Sequence, residues 1–172
     1  MMDRLESERI ILRPITADDT ADILRWRNSP HVMEHFIIRE PLTEEVHRRW
    51  LKEKVAGGEA EQFIIILKEN GKAIGTQYYQ RIDKNRKSAE FGIFIGEKEE
   101  VGKGYGPEVL ELAIRHARED MGLKSIELRV IADNEAAYKL YSGHGFKILP
   151  EYTEIKEYNG QEAKILHMEL KL

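Results

Sequence analysis

The segment that most constrains this chain is a glycine-rich turn, VGKGYGP, which leads directly into a helical pattern. Gly102, Gly104 and Gly106 fall within a few residues of one another, and Pro107 suits the first turn of a helix. An apolar stripe at helical spacing follows, made of Val109, Leu110, Leu112, Ala113, Ile114 and Ala117. Such glycines can simply make a tight turn between a strand and a helix. Bare amides at a helix N-terminus also form an anion site, so the pattern predicts a phosphate-binding loop.

Two common phosphate-binding patterns do not fit this loop. A triphosphate-binding loop requires glycine at position 97 and a hydroxyl residue at position 104, where Glu97 and Gly104 stand. A dinucleotide-binding fingerprint requires a third glycine where Pro107 stands, and it follows the first strand of its unit. This loop instead follows the fourth predicted strand. The phosphate therefore belongs to another kind of carrier.

The composition favours a globular protein that binds neither nucleic acid nor a membrane. The formal net charge of −4 opposes a general nucleic-acid surface. The longest apolar run, Phe63–Leu67, is too short to span a bilayer, and the N-terminal MMDRLESERI lacks the apolar core of a signal peptide. We therefore expect a cytoplasmic protein. The chain has no cysteine, which excludes disulfides, thiolate metal ligands and a cysteine nucleophile.

The order of the elements predicts one mixed α/β domain over residues 1–172. A strand over Arg9–Ile15 precedes a capping box of Thr16 and Asp19, which opens a helix to about Asn28, and Thr43 caps a second helix. Two Asn-Gly dipeptides between β-rich runs predict hairpins. The predicted order is one strand, two helices, three strands, the long helix, a strand, a short helix and two strands. We therefore expect seven strands.

Two segments resemble the acyl-CoA-binding core of the GNAT N-acetyltransferases. The family pattern Arg/Gln-x-x-Gly-x-Gly/Ala falls on Val101, Gly104 and Gly106, and the second pattern falls on Asn134, Tyr141 and Gly145-Phe146. AEFGIFI and WRNSPHV look most like the branch of ribosomal-protein N-terminal acetyltransferases and related small-amine and amino-sugar acetyltransferases. The resemblance implies a single, mostly antiparallel seven-stranded sheet flanked by helices.

The resemblance also implies roles for particular residues. Tyr141 would protonate the departing thiolate of CoA, and Glu90 is the candidate base, unless it is a surface carboxylate. The amide of Phe94 or Ile95 would polarise the thioester carbonyl of acetyl-CoA. Asn134 would hydrogen-bond the pantetheine arm or a bound water, and it can also be a plain helix cap. The pyrophosphate would be bound by the loop of Gly102, Lys103, Gly104, Tyr105 and Gly106. Val101 replaces the usual Arg or Gln, and the turn before it carries Glu97, Glu99 and Glu100.

The segment that borders the acceptor pocket in the family here contains HVMEH. Trp26, His31, Glu34 and His35 are the candidate substrate-binding residues, and Arg27 can also contact substrate, although each can also be an ordinary loop residue. HVMEH matches the zinc-protease pattern H-x-x-E-H, which requires a long helix. Pro30 and Pro41 leave room for a short helix at most, so we expect no metal.

Together these features predict an acetyl-CoA-dependent N-acetyltransferase. It would transfer an acetyl group to a primary amine, on a protein N-terminus or a small molecule, by direct attack of the amine on the thioester. An amino sugar linked to a nucleotide is an alternative acceptor. A non-catalytic acyl-CoA sensor on the same scaffold is an alternative of another class, which the presence of Tyr141 disfavours. A homodimer is left open.

Overall fold

A computed structural model describes residues 5–172 of the chain; the first four residues of MMDRLESERI lie outside this range. Its core is one mixed sheet in the order β1-β2-β3-β4-β5-β6-β9-β7, with β8 paired to β9. All pairs are antiparallel except β5 with β6. The strands are β1 (Leu5–Glu6), β2 (Ile10–Pro14), β3 (Glu61–Leu67), β4 (Ala73–Asp83), β5 (Ser88–Ile95), β6 (Ser125–Ile131), β7 (Lys147–Ile148), β8 (Glu154–Tyr158) and β9 (Gln161–Lys171).

The predicted fold class is confirmed, but the part of the chain that the structure describes contains nine strands rather than seven. The two additional strands, β1 and β7, contain two residues each. Such short segments exist only because a longer neighbour offers backbone partners, and they show no alternation that a sequence pattern could reveal. The predicted Asn-Gly turns join β3 to β4 and β8 to β9, where Gly71 and Gly160 have positive φ.

Within residues 5–172, five α-helices connect or flank the strands. The Thr16–Asp19 capping box is present, although the chain first makes a 3-10 turn over Ala17–Asp19. Thr43 caps the third helix, which continues as a π-helical turn over Leu51–Val55. The helices are α1 (Thr20–Arg27), α2 (Pro30–Met33), α3 (Glu44–Trp50), α4 (Tyr105–Glu119) and α5 (Glu135–Gly143). None of the helices in residues 5–172 combines the length and apolar character that a membrane crossing demands.

The sheet is covered on both faces. The apolar stripe of α4 packs on one face with side chains of β2, β3, β5 and β6, and Tyr141 of α5 and Phe146 join the same cluster. A smaller cluster on the other face joins Ile23 and Trp26 of α1 to Ile64 of β3, with Phe94 packed against it. The side chains of Tyr141 and Phe94 therefore lie on opposite faces of the sheet.

The sheet opens between its two parallel strands. Pairing of β5 with β6 runs from Ser88 opposite Ser125 to Glu90 opposite Glu127 and then ends. Both strands continue beyond this point, β5 to Ile95 and β6 to Ile131. The later residues of β5 therefore have an edge that is not paired with β6, in the middle of the sheet.

Candidate active site

The glycine loop takes a backbone shape that favours glycine at two positions. Gly102 and Gly104 both have φ of +81°, which lies in the left-handed region that side chains with a Cβ rarely adopt. Gly104 is the N-cap of α4, and Tyr105 and Gly106 begin the helix, with Pro107 in its first turn. The loop amides therefore lie at the N-terminus of a long helix, where an anion is stabilised.

Arg9, which the sequence analysis missed, contacts this loop from the bend between β1 and β2. Its guanidinium donates to the carbonyl oxygens of Lys103 and Gly104, both at 3.1 Å. It also lies over the ring of Tyr105, 4.5 Å from the centroid. Glu108 accepts from the backbone and side chain of Arg9, each at 2.8 Å, and from Ser7 at 2.5 Å. Burial disfavours the Glu108 carboxylate, but these hydrogen bonds outweigh it and lower the pKa of Glu108.

A groove of about 480 Å³ runs between the loop and α5. Gly102, Gly104 and Gly106 line one side, and Lys139 and Leu140 line the other. A Cβ on Gly106 would lie 3.4 Å from Leu140, so glycine keeps this passage open. Ile95, at the end of β5, also lines the groove, which therefore reaches the opening between β5 and β6.

The acidic turn before the loop does not present three free carboxylates to the groove. Glu97 accepts from Arg25 at 2.6 Å and from Trp26, and Arg25 lowers the pKa of Glu97. Glu99 pairs with Lys72 at 2.6 Å. Glu100 is buried and lines the groove, where Lys103 Nζ lies 3.1 Å from its carboxylate. The repulsion that this turn would exert on a phosphate is thereby reduced by neighbouring cations.

The amide of Ile95 faces the opening in the sheet. Gly96 N donates to Ile74 O of the β4 side at 2.7 Å. Along β5, successive backbone N–H groups point alternately toward β4 and toward β6. The N–H of Phe94 therefore points toward β4, like that of Gly96, and the N–H of Ile95 points toward β6. Of the two candidates named from the sequence, geometry favours Ile95 as a donor to a group bound in the opening.

Tyr141 is buried beside the opening. Its ring packs edge-on against Phe91 of β5, with centroids 6.2 Å apart, and against Phe146 at 5.7 Å. Burial raises the pKa of Tyr141, and the nearby Tyr78 adds to the effect. The phenol is therefore protonated throughout the neutral range. No hydrogen bond to another of residues 5–172 contributes to this shift, so the hydroxyl remains able to donate to a bound molecule.

Tyr78 is a second tyrosine near the opening that sequence reasoning missed. It lies opposite Gly92 in the β4–β5 pair, and a Cβ on Gly92 would be 2.2 Å from its ring. The ring therefore lies across β5 because residue 92 has no side chain. Burial and the charge of Glu90 raise the pKa of Tyr78 to about 12, with Arg27 and Arg129 opposing them. A glycine within the strand AEFGIFI was the available signal.

Glu90 lies on the same face of β5 as Gly92, as expected, but its carboxylate has cationic partners. Arg129 Nε of β6 donates to one oxygen at 3.3 Å, and Arg81 Nη1 lies 3.5 Å from the other. Both arginines compete with any substrate proton for this carboxylate. The role of Glu90 as a base stays a prediction.

Asn134 and Lys103 belong to the two segments that border the groove, although neither side chain lines it. Asn134 is the N-cap of α5, and its side-chain oxygen accepts from the amide of Ala137 at 3.3 Å. This bond leaves its amide nitrogen for another partner. The Lys103 side chain is half exposed beside Glu100 and can reach an anion in the groove.

The predicted acceptor residues separate into two groups. Trp26 is buried, its indole N–H donates to Glu97 Oε1, and a Cβ on Gly96 would collide with its ring. This placement corrects the prediction that Trp26 contacts substrate, because the apolar pattern of α1 faces the sheet. His31 lies in α2 with Nδ1 3.2 Å from Ser29, and its Nε2 is buried without a partner in the described range.

Glu34 and His35 are exposed and lie 3.4 Å apart. The helix that precedes them, α2, contains four residues, too few for the zinc-protease pattern. No cluster of three or more His, Asp or Glu side chains suited to a metal occurs in the part of the chain that the structure describes. The expectation of no metal stays a prediction.

Comparison with known proteins gives consistent matches. Residues 9–147 match the model of the GNAT acetyltransferase domain. An uncharacterized N-acetyltransferase p20 of Bacillus licheniformis is 28% identical over 162 residues, 90% of each protein. An uncharacterized protein of Methanocaldococcus jannaschii is 30% identical over 145 residues, which are 83% of this chain but 29% of that protein.

A solved structure has the same fold. The spermidine N-acetyltransferase of Vibrio cholerae, in complex with CoA and spermine, superimposes with a TM-score of 0.84 at 23% identity, covering 94% of this chain and 95% of that one. The domain model covers most of the chain, so the chain belongs to the GNAT family of acetyltransferases.

Proposed function

We propose that this protein transfers the acetyl group of acetyl-CoA to a primary amine, on a protein N-terminus or a small molecule. The observation that carries the proposal is that the groove along the glycine loop meets the gap between β5 and β6. The groove along the glycine loop reaches Ile95 at the end of β5, whose edge is unpaired with β6 beyond Glu90, and Tyr141 is buried against Phe91 of the same strand. A phosphate-bearing thioester that lies in the groove would place its acyl end in the gap.

Each part of acetyl-CoA has a complementary partner in this arrangement. The amides of Gly102–Gly106 at the start of α4 and the Lys103 ammonium suit the pyrophosphate. The unpaired edge of β5 suits the amide groups of the pantetheine arm, and Asn134 can donate to the same arm. The amine then reaches the thioester from the opposite face of the sheet, where Glu90 and Tyr78 lie.

The reaction requires one bond to form and one to break. The amine nitrogen attacks the carbonyl carbon, and the negative charge that develops on the carbonyl oxygen is stabilised by the Ile95 amide. The C–S bond then breaks, sulfur takes the proton of the Tyr141 hydroxyl, and the nitrogen loses a proton to Glu90 directly or through water. Tyr141 regains its proton from solvent. The products are an amide and free CoA.

The test is to incubate the purified protein with acetyl-CoA and a panel of primary amines. Release of the CoA thiol and the mass of the acetylated amine are both measured, with and without a chelator. We expect stoichiometric thiol and amide, and turnover that the chelator leaves intact. Tight binding of acetyl-CoA without acetylation of any amine would instead identify an acyl-CoA sensor. The cytoplasmic location and a homodimer stay predictions that size measurement and fractionation can address.

A further inference from the structure

The face of the sheet from which the amine approaches carries arginines next to the carboxylates of Glu90 and Glu127. Tyr78, Glu90 and Phe94 share this face on β4 and β5, as their register and alternation require. Arg129 of β6 reaches the same face, because it contacts Glu90 at 3.3 Å. We call this surface, formed by Arg27, Phe36, Tyr78, Phe94 and Arg129, the acceptor wall.

Arg27 joins the acceptor wall from the end of α1. Its guanidinium carbon lies 3.7 Å from the centroid of Phe36, and the Phe36 ring packs edge-on against Phe94 with centroids 5.5 Å apart. Its charge also affects Tyr78, whose hydroxyl lies on the same face. The guanidinium is thus held against aromatic rings beside the opening in the sheet.

The charge of Arg27 has no carboxylate partner within residues 5–172. Nη2 donates to the Ile38 carbonyl at 2.6 Å, but Nη1 is buried without any partner, and the residue is only 9% exposed. Burial lowers the pKa of Arg27, yet a guanidinium remains protonated in a protein. A buried cation that lacks a counter-ion is costly, and a bound anion removes that cost.

Two carboxylates beside Arg129 already have cationic partners. Glu90 lies between Arg81 and Arg129, and Glu154 accepts from His167 at 2.7 Å and lies 3.9 Å from Arg129. A polyamine that used either of these carboxylates would compete with its cation and bring further positive charge toward Arg27. An acceptor with a negative group would instead satisfy Arg27, while its hydrocarbon part packs on Phe36 and Phe94.

We propose that the amine acceptor carries a carboxylate or phosphate group, which the Arg27 guanidinium binds, while the amine faces the thioester. This inference rests on the proposed acetyl transfer. It places the recognition of the acceptor in the buried guanidinium at the end of α1 and the aromatic rings around it. Arg129 contributes a second positive charge to the same wall.

Matched amines test the charge preference. ω-Amino carboxylates of three to six carbons are compared with alkylamines and α,ω-diamines of the same length, and with one ω-aminoalkyl phosphate. We expect kcat/KM at least about tenfold higher for the best anionic amine than for the matched alkylamine, and lowest for the diamine. Comparison of the ω-aminoalkyl phosphate with the amino carboxylates shows which anion is bound better. Preference for diamines or alkylamines at every length would overturn the inference while leaving the proposed function intact.

Variants then assign the preference to Arg27. Arg27→Met should reduce the ratio of kcat/KM for anionic over neutral amine to near one, and Arg27→Lys should keep part of it, because only the charge is retained. Because Arg27 is buried, its replacement can prevent folding, so Arg129→Gln provides a second test. We expect this variant to lower the ratio of kcat/KM for anionic over neutral amine by a smaller factor. Arg118→Gln, on the exposed side of α4, is the control and should keep the ratio. A folded Arg27→Met with an unchanged ratio contradicts the proposal. Failure to acetylate any amine would remove the proposed function itself.

Discussion

Arg9 and Glu108 are joined by two hydrogen bonds of 2.8 Å, one from the backbone amide and one from the side chain of the arginine. The remaining guanidinium nitrogens bind the carbonyls of Lys103 and Gly104. Both carbonyls are thereby turned toward Arg9, which leaves the loop amides available for an anion. Glu108 thus fixes the position of the Arg9 side chain, and Arg9 fixes the backbone of the glycine loop.

We therefore expect Arg9→Ala to weaken acetyl-CoA binding. Hydrogen bonds to a charged group contribute roughly 1.5–3 kcal/mol, but Arg9 is half exposed, so a rise in the KM for acetyl-CoA of about tenfold is the expected effect. The value of kcat should change far less, because the loop binds ground and transition states alike. Arg9→Lys should not restore binding, since one ammonium cannot hold two carbonyls and Glu108 together. An unchanged KM in a folded variant would contradict this positioning role.

Gly104→Val tests the loop itself and has a matched control. Gly104 and Gly122 both have positive φ, so a side chain at either position costs about 1–2 kcal/mol of stability. Only Gly104 lines the groove, whereas a Cβ at Gly122 meets open space. Calorimetry should show that Gly104→Val loses CoA binding and that Gly122→Val retains it. Equal CoA affinity in the two variants would remove the loop from the binding site.

The contact between Gly92 and Tyr78 predicts a rescue. Gly92→Ala places a methyl group inside the ring of Tyr78, so we expect a loss of about 1–3 kcal/mol of stability. The KM for the amine should rise more than the KM for acetyl-CoA, because Tyr78 belongs to the acceptor wall. Adding Tyr78→Ala removes the clash, and the double variant should be more stable than the sum of the two single effects predicts. Additive unfolding free energies would show that the two positions do not interact.

His116 of α4 makes stability depend on pH. Burial alone would lower the pKa of His116, but hydrogen bonds to Glu61 at 3.0 Å and Asp120 at 2.7 Å outweigh it and raise the pKa above 6.5. A raised pKa means that the imidazolium stabilises the fold fully below the unfolded value, and that this stabilisation is lost as pH rises through the folded value. The difference in Tm between the parent and Glu61→Gln should therefore shrink as pH increases from about 6 to about 9. A difference that does not vary with pH would rule out this coupling.

Local sequence signals predicted the elements that form the groove. Glycines and Pro107 indicated the loop and the start of α4, and Asn134 indicated the N-cap of α5. These features depend on residues close together in the chain. The contacts of Arg9 with the loop, of Tyr78 with Gly92 and of Glu90 with Arg129 join different strands and helices, so no local pattern contains them.

Trp26 shows why the acceptor side was harder to predict. Its place beside a motif suggested substrate contact, whereas its apolar ring is buried against Gly96. Arg27, the next residue, lies in the same segment, but no feature of the sequence shows that its side chain is buried. Only packing shows that its guanidinium is buried against Phe36. Which side of a short helix faces a cleft depends on the tertiary arrangement.

Tyr141→Phe separates an enzyme from an acyl-CoA sensor. The substitution keeps the ring and its packing against Phe91 and Phe146 and removes the hydroxyl proton. A positioned general acid contributes typically 10²–10⁴-fold, so kcat and kcat/KM should fall together by about that factor. The affinity for acetyl-CoA should barely change.

The chemical step is best measured in a single turnover, because slow product release would mask part of the loss. Tyr138→Phe, on the same helix, is the control for removing a hydroxyl and should acetylate at the parent rate. Burial raises the pKa of Tyr141, so the phenol stays protonated and the rate of the parent should not fall through its ionisation near neutral pH. If Tyr141→Phe acetylates as fast as the parent in this experiment, Tyr141 only packs α5 against β5. The thiolate would then leave without a proton from this residue.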